Sequence, residues 1–332
     1  MTIWTIFLGS AIFVFILLLF LILLVYWSTS PYPDHSRSAR EKEFYVGKTG
    51  NKASFKEFPS ITEPSSVHLS VIVPAYNEEE RLLPMLEETF TFLERRKLSN
   101  KTFSYEVILV SDGSKDRTVE IAHSYTDKYG SDIMRVLALE KNRGKGGAVS
   151  LGTLSSRGAI ILFADADGAT LFSDIEKLEE SLKGIVKGNY LSTPEKVSNE
   201  FAVIIGSRAH LEQEALANRS FFRTFLMHGF HFLVWSLAVR TVRDTQCGFK
   251  MFTRRTAETL FSSVHVQRWA FDVELLYLAE LFNIPIAEIS VKWTEIDGSK
   301  IIPVFSWLQM GKDLVLIWLR YRIGAWKITH KP

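Results

Sequence analysis

Ala159-Ile160-Ile161-Leu162-Phe163-Ala164-Asp165-Ala166-Asp167 is an apolar run closed by two carboxylates one residue apart. Its continuity is that of a strand buried on both faces, the kind found in parallel sheets covered by helices. Carboxylates at the end of such a strand are costly to place there without a cation. A hard divalent ion held by one or two carboxylates, with water and substrate phosphates as its other ligands, accounts for them. An ordinary polar turn is the competing reading of a lone D-x-D. Upstream, Pro74-Ala75-Tyr76-Asn77-Glu78, Asp112-Gly113-Ser114-Lys115-Asp116 and Asn142-Arg143-Gly144-Lys145-Gly146-Gly147 stand at three more strand-to-helix junctions. Ligands of open α/β sheets bind outside the carboxyl ends of the strands. Four polar clusters on one rim read as a site for a nucleoside diphosphate.

The alternation extends along the chain. Residues 69–73, 105–110, 134–139, 159–164 and 201–205 are predicted strands, and residues 78–96, 118–129 and 145–155 carry helical spacing. This predicts an α/β domain over residues 67–332, with a mainly parallel, Rossmann-like sheet flanked by helices. Residues 31–66, polar with scattered Pro, Ser and charge, read as a linker. No internal repeat or low-complexity tract is present.

Residues 3–27 are almost wholly apolar, and the first ionisable side chain is Asp34. That length spans a bilayer as a helix. A cleaved signal peptide would need a basic n-region, a shorter apolar core and small residues at the cut. Here no Lys or Arg precedes the run, and it ends in Val25-Tyr26-Trp27, an aromatic pair suited to an interface. Residues 1–30 are therefore predicted to be an uncleaved transmembrane anchor. Arg37, Arg40, Lys42, Lys48 and Lys52 follow it. Basic flanks stay cytoplasmic, so the bulk of the chain is expected in the cytosol. Asn100 and Asn218 match the glycosylation acceptor pattern and would stay unmodified there.

Residues 219–242 and 304–326 mix apolar and aromatic side chains with Arg223, Arg240, Lys312, Asp313, Arg320 and Arg322. Both read as amphipathic helices at the membrane interface, with an ordinary core helix as the alternative. The net charge of +2 gives no support to nucleic-acid binding by bulk electrostatics. The single cysteine, Cys247, rules out an internal disulfide and suits a reducing compartment. His210, His228, His231 and His265 lack zinc spacing, and no G-x-S-x-G elbow supports a hydrolase.

In the Asn142–Ala148 cluster, glycines let backbone approach an anion and the helix N-terminus adds partial positive charge. It is neither a Walker loop nor a dinucleotide fingerprint, since Lys145 lacks a following Ser/Thr and Val149 replaces the third glycine. A tight turn explains the glycines equally well; Arg143 and Lys145 could neutralise a diphosphate. Gly206-Ser207-Arg208 places a guanidinium on the same rim, and Arg243-Asp244-Thr245-Gln246-Cys247-Gly248-Phe249-Lys250 gathers a carboxylate, an amide and two cations. A buried salt-bridge knot is the alternative for that last stretch.

These clusters, with Ala164-Asp-Ala-Asp-Gly-Ala-Thr, Trp269-Ala-Phe-Asp-Val-Glu-Leu-Leu-Tyr and Trp293-Thr-Glu-Ile-Asp-Gly-Ser-Lys, resemble the family 2 glycosyltransferases of GT-A fold. Among them the resemblance is closer to the branch that glucosylates dolichyl phosphate in the endoplasmic reticulum, and it runs from about residue 69 to the C-terminus. It implies an inverting transfer from UDP-glucose to dolichyl phosphate by an enzyme of the endoplasmic reticulum membrane, its N-terminus lumenal. It also implies that Pro74, Tyr76, Glu78 and Asp112 hold uridine, with Arg143 and Lys145 near ribose and diphosphate. Asp165 and Asp167 would bind Mg²⁺ or Mn²⁺, Asp167 more directly. Arg208 and Arg219 would meet the acceptor phosphate, and Asp244 would stand near the reacting centre. Ser111 departs from the family, which usually has a second Asp there. Ala169 stands where mannosyl relatives often carry Gln, which favours the glucosyl branch. A mannosyl-type polyprenyl-phosphate transferase and a non-catalytic membrane-tethered scaffold are the alternatives; oligomeric state is left open.

Overall fold

The structure is a computed structural model that describes residues 3–49, 52–211, 229, 234–296 and 303–329. Helix α1 (Ile3–Ser28) stands apart from the rest, and none of its apolar stretch Phe7–Ser28 is buried by protein. Among the described residues it is the one helix long and apolar enough to cross a membrane.

The central sheet has seven strands: β3 (Val67–Ala75), β4 (Tyr105–Ser111), β5 (Met134–Ala138), β6 (Gly158–Ala164), β7 (Val203–Ser207), β8 (Phe249–Thr253) and β9 (Ile286–Ser290). Their order is β5-β4-β3-β6-β8-β7-β9. The β5-β4-β3-β6 half is parallel, as continuous burial predicts: every residue of β4 and of β6 is buried. β8 runs antiparallel to both β6 and β7, and β9 returns parallel to β7. The sheet is mainly parallel, with one inserted antiparallel strand.

Helices α2 (Leu82–Ser99), α3 (Thr118–Tyr129), α4 (Lys145–Leu154), α5 (Ile175–Val186) and α6 (Pro194–Ser198) alternate with the strands; α7 (Arg254–Phe261), α8 (Phe271–Leu281) and α9 (Pro303–Arg322) follow. In α5 the buried residues Ile175, Leu178, Leu182 and Val186 recur at helical spacing and form its inner stripe. The strand starts are tied by the wholly buried Glu106, which accepts from Ser70 Oγ at 2.6 Å and pairs with Arg135 and Arg157. The opposite rim is left for function.

Two expectations need correction. Residues 31–66 are not a loose linker. They contain the hairpin β1 (Glu43–Thr49) and β2 (Lys52–Glu57), and Phe44, Phe58 and Ile61 are buried in one cluster with Ile72, Ile108 and Leu139. The few apolar residues spread through this polar stretch give no strand signal, yet Phe44, Tyr45, Phe58 and Ile61 are buried while Tyr32 and Phe55 stay exposed. Of the predicted interface helix at 219–242, most falls outside the described residues. Its described end is core, because Val234, Val239 and Val242 are buried, although Trp235 is exposed. In α9, Met310, Leu314 and Ile317 are buried, so its described half packs on the domain while Val315 stays exposed. Beyond α9, Trp326 turns back to stack on His265, ring centroids 4.5 Å apart.

Candidate active site at the carboxyl-terminal rim of the sheet

The ends of β3, β4, β6 and β7 and the start of β8 meet on one rim, because β8 is antiparallel to its neighbours. After β3, Asn77 adopts a left-handed conformation (φ 53°), and its backbone N–H donates to Ser114 Oγ at 3.1 Å. Its Oδ1 accepts from the Lys115 N–H at 2.8 Å. Asn tolerates that φ better than most residues. The β3 and β4 loops are thereby locked together. Pro74 lies within β3, Tyr76 is exposed at its mouth, and Glu78 is buried against Arg81, 2.6 Å away.

Asp112, directly after β4, is buried. Its oxygens accept from the N–H groups of Arg143 at 2.6 Å and Gly144 at 2.8 Å. Burial pushes its pKa up, against the pull of those two bonds. The positive end of α4, which the sequence offers to a diphosphate, is therefore met by the protein's own carboxylate. The glycines of this loop serve packing as well. Gly144 has φ 87°, and a Cβ there would lie 2.6 Å from the Gln267 carbonyl oxygen. The Arg143 guanidinium turns to Glu41 at 2.7 Å, toward the segment before β1, and not toward the D-x-D.

Lys145 does reach the acidic pair. Its Nζ sits 2.7 Å and 2.9 Å from the two oxygens of Asp165. Burial opposes its charge, but Asp165 and Asp272 outweigh burial and raise its pKa, so it stays cationic. Behind it lies an ion pair that sequence reasoning missed: Lys250 Nζ donates to Asp272 at 2.6 Å and to the Cys247 carbonyl at 2.6 Å, with Lys250 fully buried. Burial pushes Asp272 up, and Lys250 and Lys145 pull it back. Asp165 is also gripped by main chain, its N–H donating to the Gly248 carbonyl at 3.0 Å. A Cβ on Gly248 would lie 1.9 Å from Asp165 Oδ2. Asp167 accepts from the Ala169 N–H at 3.0 Å through Oδ1, and its Oδ2 has no partner among the described residues.

Following β7, Arg208 and Asp244 form a two-pronged pair, Nε–Oδ2 2.8 Å and Nη2–Oδ1 2.9 Å. Burial raises the Asp244 pKa, but the Arg208 guanidinium overcomes this and holds it below the usual carboxylate range; the same pairing raises Arg208. Glu288, on β9, fixes the loop that carries Asp244 by accepting the N–H groups of Arg243 at 3.0 Å and Asp244 at 2.9 Å, and Ser207 Oγ at 2.6 Å. The Arg208 guanidinium lies over the Trp293 ring, 5.4 Å from its centroid. Beside this pair, the buried Cys247 thiol is pushed up to about 12 by burial, which makes it inert. Arg219 lies outside the described residues.

The rim thus offers hard carboxylate oxygens, Lys145, and an arginine clamp. Asp165 already carries a cationic nitrogen on both oxygens, and Asp167 has one oxygen to spare; this donor set fits Mg²⁺ or Mn²⁺ shared with a phosphate-bearing ligand. Asp272 and Glu288 escaped sequence reasoning because their partners stand 22 and 44 residues away. Lys250 and Asp272 do lie in the stretches that carry the family resemblance, which was the signal available.

The sequence pattern described as glycosyl transferase family 2 matches residues 70–261. The chain is 56% identical to a dolichyl-phosphate beta-glucosyltransferase of Drosophila melanogaster, over 92% of this chain and 90% of the relative. It is 53% identical to the protein of that name in Homo sapiens, over 94% and 93%. Among solved structures, glucosyl-3-phosphoglycerate synthase of Mycobacterium tuberculosis with Mg²⁺ and UDP superposes with a TM-score of 0.49 at 17% identity, covering 78% of this chain and 80% of that one.

Proposed function

Because the chain belongs to glycosyl transferase family 2, we propose that it transfers glucose from UDP-glucose to dolichyl phosphate, giving dolichyl β-glucosyl phosphate and UDP. The observation that carries this reading is the identity of more than half with dolichyl-phosphate beta-glucosyltransferases along nearly the whole chain. The rim supports it with an acidic pair at one end and an arginine clamp at the other.

In this reading the uridine lies by Tyr76 and the β3 and β4 loops. Asp112 holds those loops to α4, so it shapes the uridine pocket chiefly through the backbone of residues 143 and 144. Asp165 and Asp167 would hold Mg²⁺ or Mn²⁺, which when bound neutralises charge on the leaving diphosphate. Lys145 adds a second positive charge at the same place. Arg208, kept in its rotamer by Asp244 and the face of Trp293, would present donors to the acceptor phosphate, and Arg219 is assigned to that phosphate too.

An oxygen of the acceptor phosphate attacks the anomeric carbon from the side opposite UDP, the C–O bond to UDP breaks, and the configuration inverts. A phosphate monoester is largely dianionic at neutral pH, its second pKa being about 6, so no strong base is needed. Asp244, held anionic at a depressed pKa by Arg208, is a weak base and acts as a positioning residue. Catalysis rests on alignment and charge stabilisation.

Helix α1 fits a membrane anchor. With Arg37, Arg40 and Lys42 behind it, the catalytic domain would face the cytosol at the endoplasmic reticulum membrane, where UDP-glucose and the lipid acceptor meet. The test is a panel of nucleotide sugars offered to the purified full chain with dolichyl phosphate. UDP-glucose should be used at least tenfold better than GDP-mannose, by kcat/KM. A preference for GDP-mannose would move the protein to the mannosyl branch.

A further inference from the structure

We propose that a second, non-catalytic site lies where the anchor leaves the bilayer, a pocket that takes the phosphate headgroup of an anionic membrane phospholipid. The pocket is a cavity of about 660 Å³ whose walls include Tyr32, Tyr277, Tyr321, Arg322, Trp326 and Lys327. It joins the two ends of the chain. Tyr32 comes four residues after the last residue of α1, a reach of at most about 14 Å. The Lys327 N–H donates to the Pro31 carbonyl at 2.8 Å, and His265 Nε2 lies 3.2 Å from the same oxygen. If α1 crosses a membrane, the pocket is held at the depth of the headgroups.

Its walls are fixed. Trp326 stacks on His265, and the Tyr321 hydroxyl donates to the buried Glu274 at 2.7 Å. Its charge is one-sided, since Arg322 and Lys327 are exposed and no carboxylate is among its described walls. The acidic groups nearby on α8 are engaged elsewhere. Glu274 accepts the N–H groups of His265 and Val266, and Glu280 accepts those of Arg240 and Thr241 at 2.9 Å. An arginine and a lysine set among tyrosines and a tryptophan match a phosphodiester that carries apolar tails: the cations meet the phosphate, and the aromatic rings sit at the boundary between water and hydrocarbon.

The pocket is separate from the rim. Tyr277 and Leu281 follow Asp272 by five and nine residues on α8, about 8 and 14 Å of helix rise. The lipid would act as a peg that fixes the domain's tilt on the bilayer. The inference shares with the proposed function only the placement of α1 in a membrane. Binding is read without turnover, so its failure leaves the transferase reading standing.

The test uses the full chain in neutral detergent, titrated with short-chain phosphatidylserine and followed by native mass spectrometry. Phosphatidylcholine and inorganic phosphate are titrated in parallel. One phosphatidylserine should be retained per chain in preference to phosphatidylcholine, with inorganic phosphate weaker. The exposed double variant Arg322→Ala/Lys327→Ala should lower phosphatidylserine affinity at least about tenfold, as losing charge-assisted bonds implies. Lys327→Glu should do the same, with the melting temperature of both variants unchanged. Equal retention of the two phospholipids, retention of inorganic phosphate alone, or unaltered affinity in folded variants would overturn the proposal.

Discussion

Gly248 illustrates how closely the acidic pair is held. A single methyl group at this position would occupy the space of Asp165 Oδ2, so Asp165 must move in Gly248→Ala. A displacement of about 1 Å in a group that aligns substrate costs on the order of 100-fold in rate. Transfer by Gly248→Ala should fall by about that factor while its melting temperature stays within a few degrees of wild type; activity within threefold of wild type would show that Asp165 needs no such grip. Asp244 makes a prediction in pH. Its folded pKa lies below the ordinary 3.8, so the stabilisation from its pair with Arg208 is complete above 3.8 and is lost as pH falls through the lower folded value. Asp244→Asn should therefore be less stable than wild type near neutrality, by about 2 kcal/mol. Melting curves of the two should converge below pH 3.8; a gap that persists undiminished in acid would mean that the charge of Asp244 contributes nothing.

At the scale of elements, what could be read in advance follows from local pattern. Strands β4 and β6 announce themselves because both faces are apolar, and the polar residues that end them mark the rim. The hairpin of β1 and β2 does not announce itself. Its ladder is short, and among its residues of described burial only Phe44 and Tyr45 are buried, so the burial that orders it comes from across the fold. Gly144 and Gly146 beside Lys145 were legible as a special backbone but not in purpose, since the atoms that crowd them belong to residues 266–271. The Lys250–Asp272 pair was invisible for the same reason: the two meet only after β8 is inserted beside β6. A truncation starting at residue 31 should keep the catalytic fold, whereas one starting at residue 67 should not. The second removes Phe44, Phe58 and Ile61 from the core, each worth about 1.5–3 kcal/mol of burial. Thermal melts in the same detergent decide it, and equal melting temperatures would restore the reading of residues 31–66 as a linker.

Across the whole molecule, an exposed apolar helix and a basic stretch precede the domain whose rim carries Lys145, Asp165 and the Arg208–Asp244 pair. On the cytosolic orientation proposed from the basic flank after α1, neither Asn100 nor Asn218 should carry a glycan in cells, and a mass shift removed by endoglycosidase would reverse the orientation. The central claim is that this rim joins glucose to a lipid phosphate with inversion. It is tested by incubating the purified chain with UDP-glucose, dolichyl phosphate and Mg²⁺ or Mn²⁺, then analysing the lipid product by mass and by its anomeric proton coupling, beside Asp167→Asn. The expected result is one hexose on dolichyl phosphate, β-linked, with the yield of the variant lower by at least about 100-fold, the scale seen when a group that stabilises transition-state charge is lost. An α-linked product, or full activity in Asp167→Asn, would contradict the account.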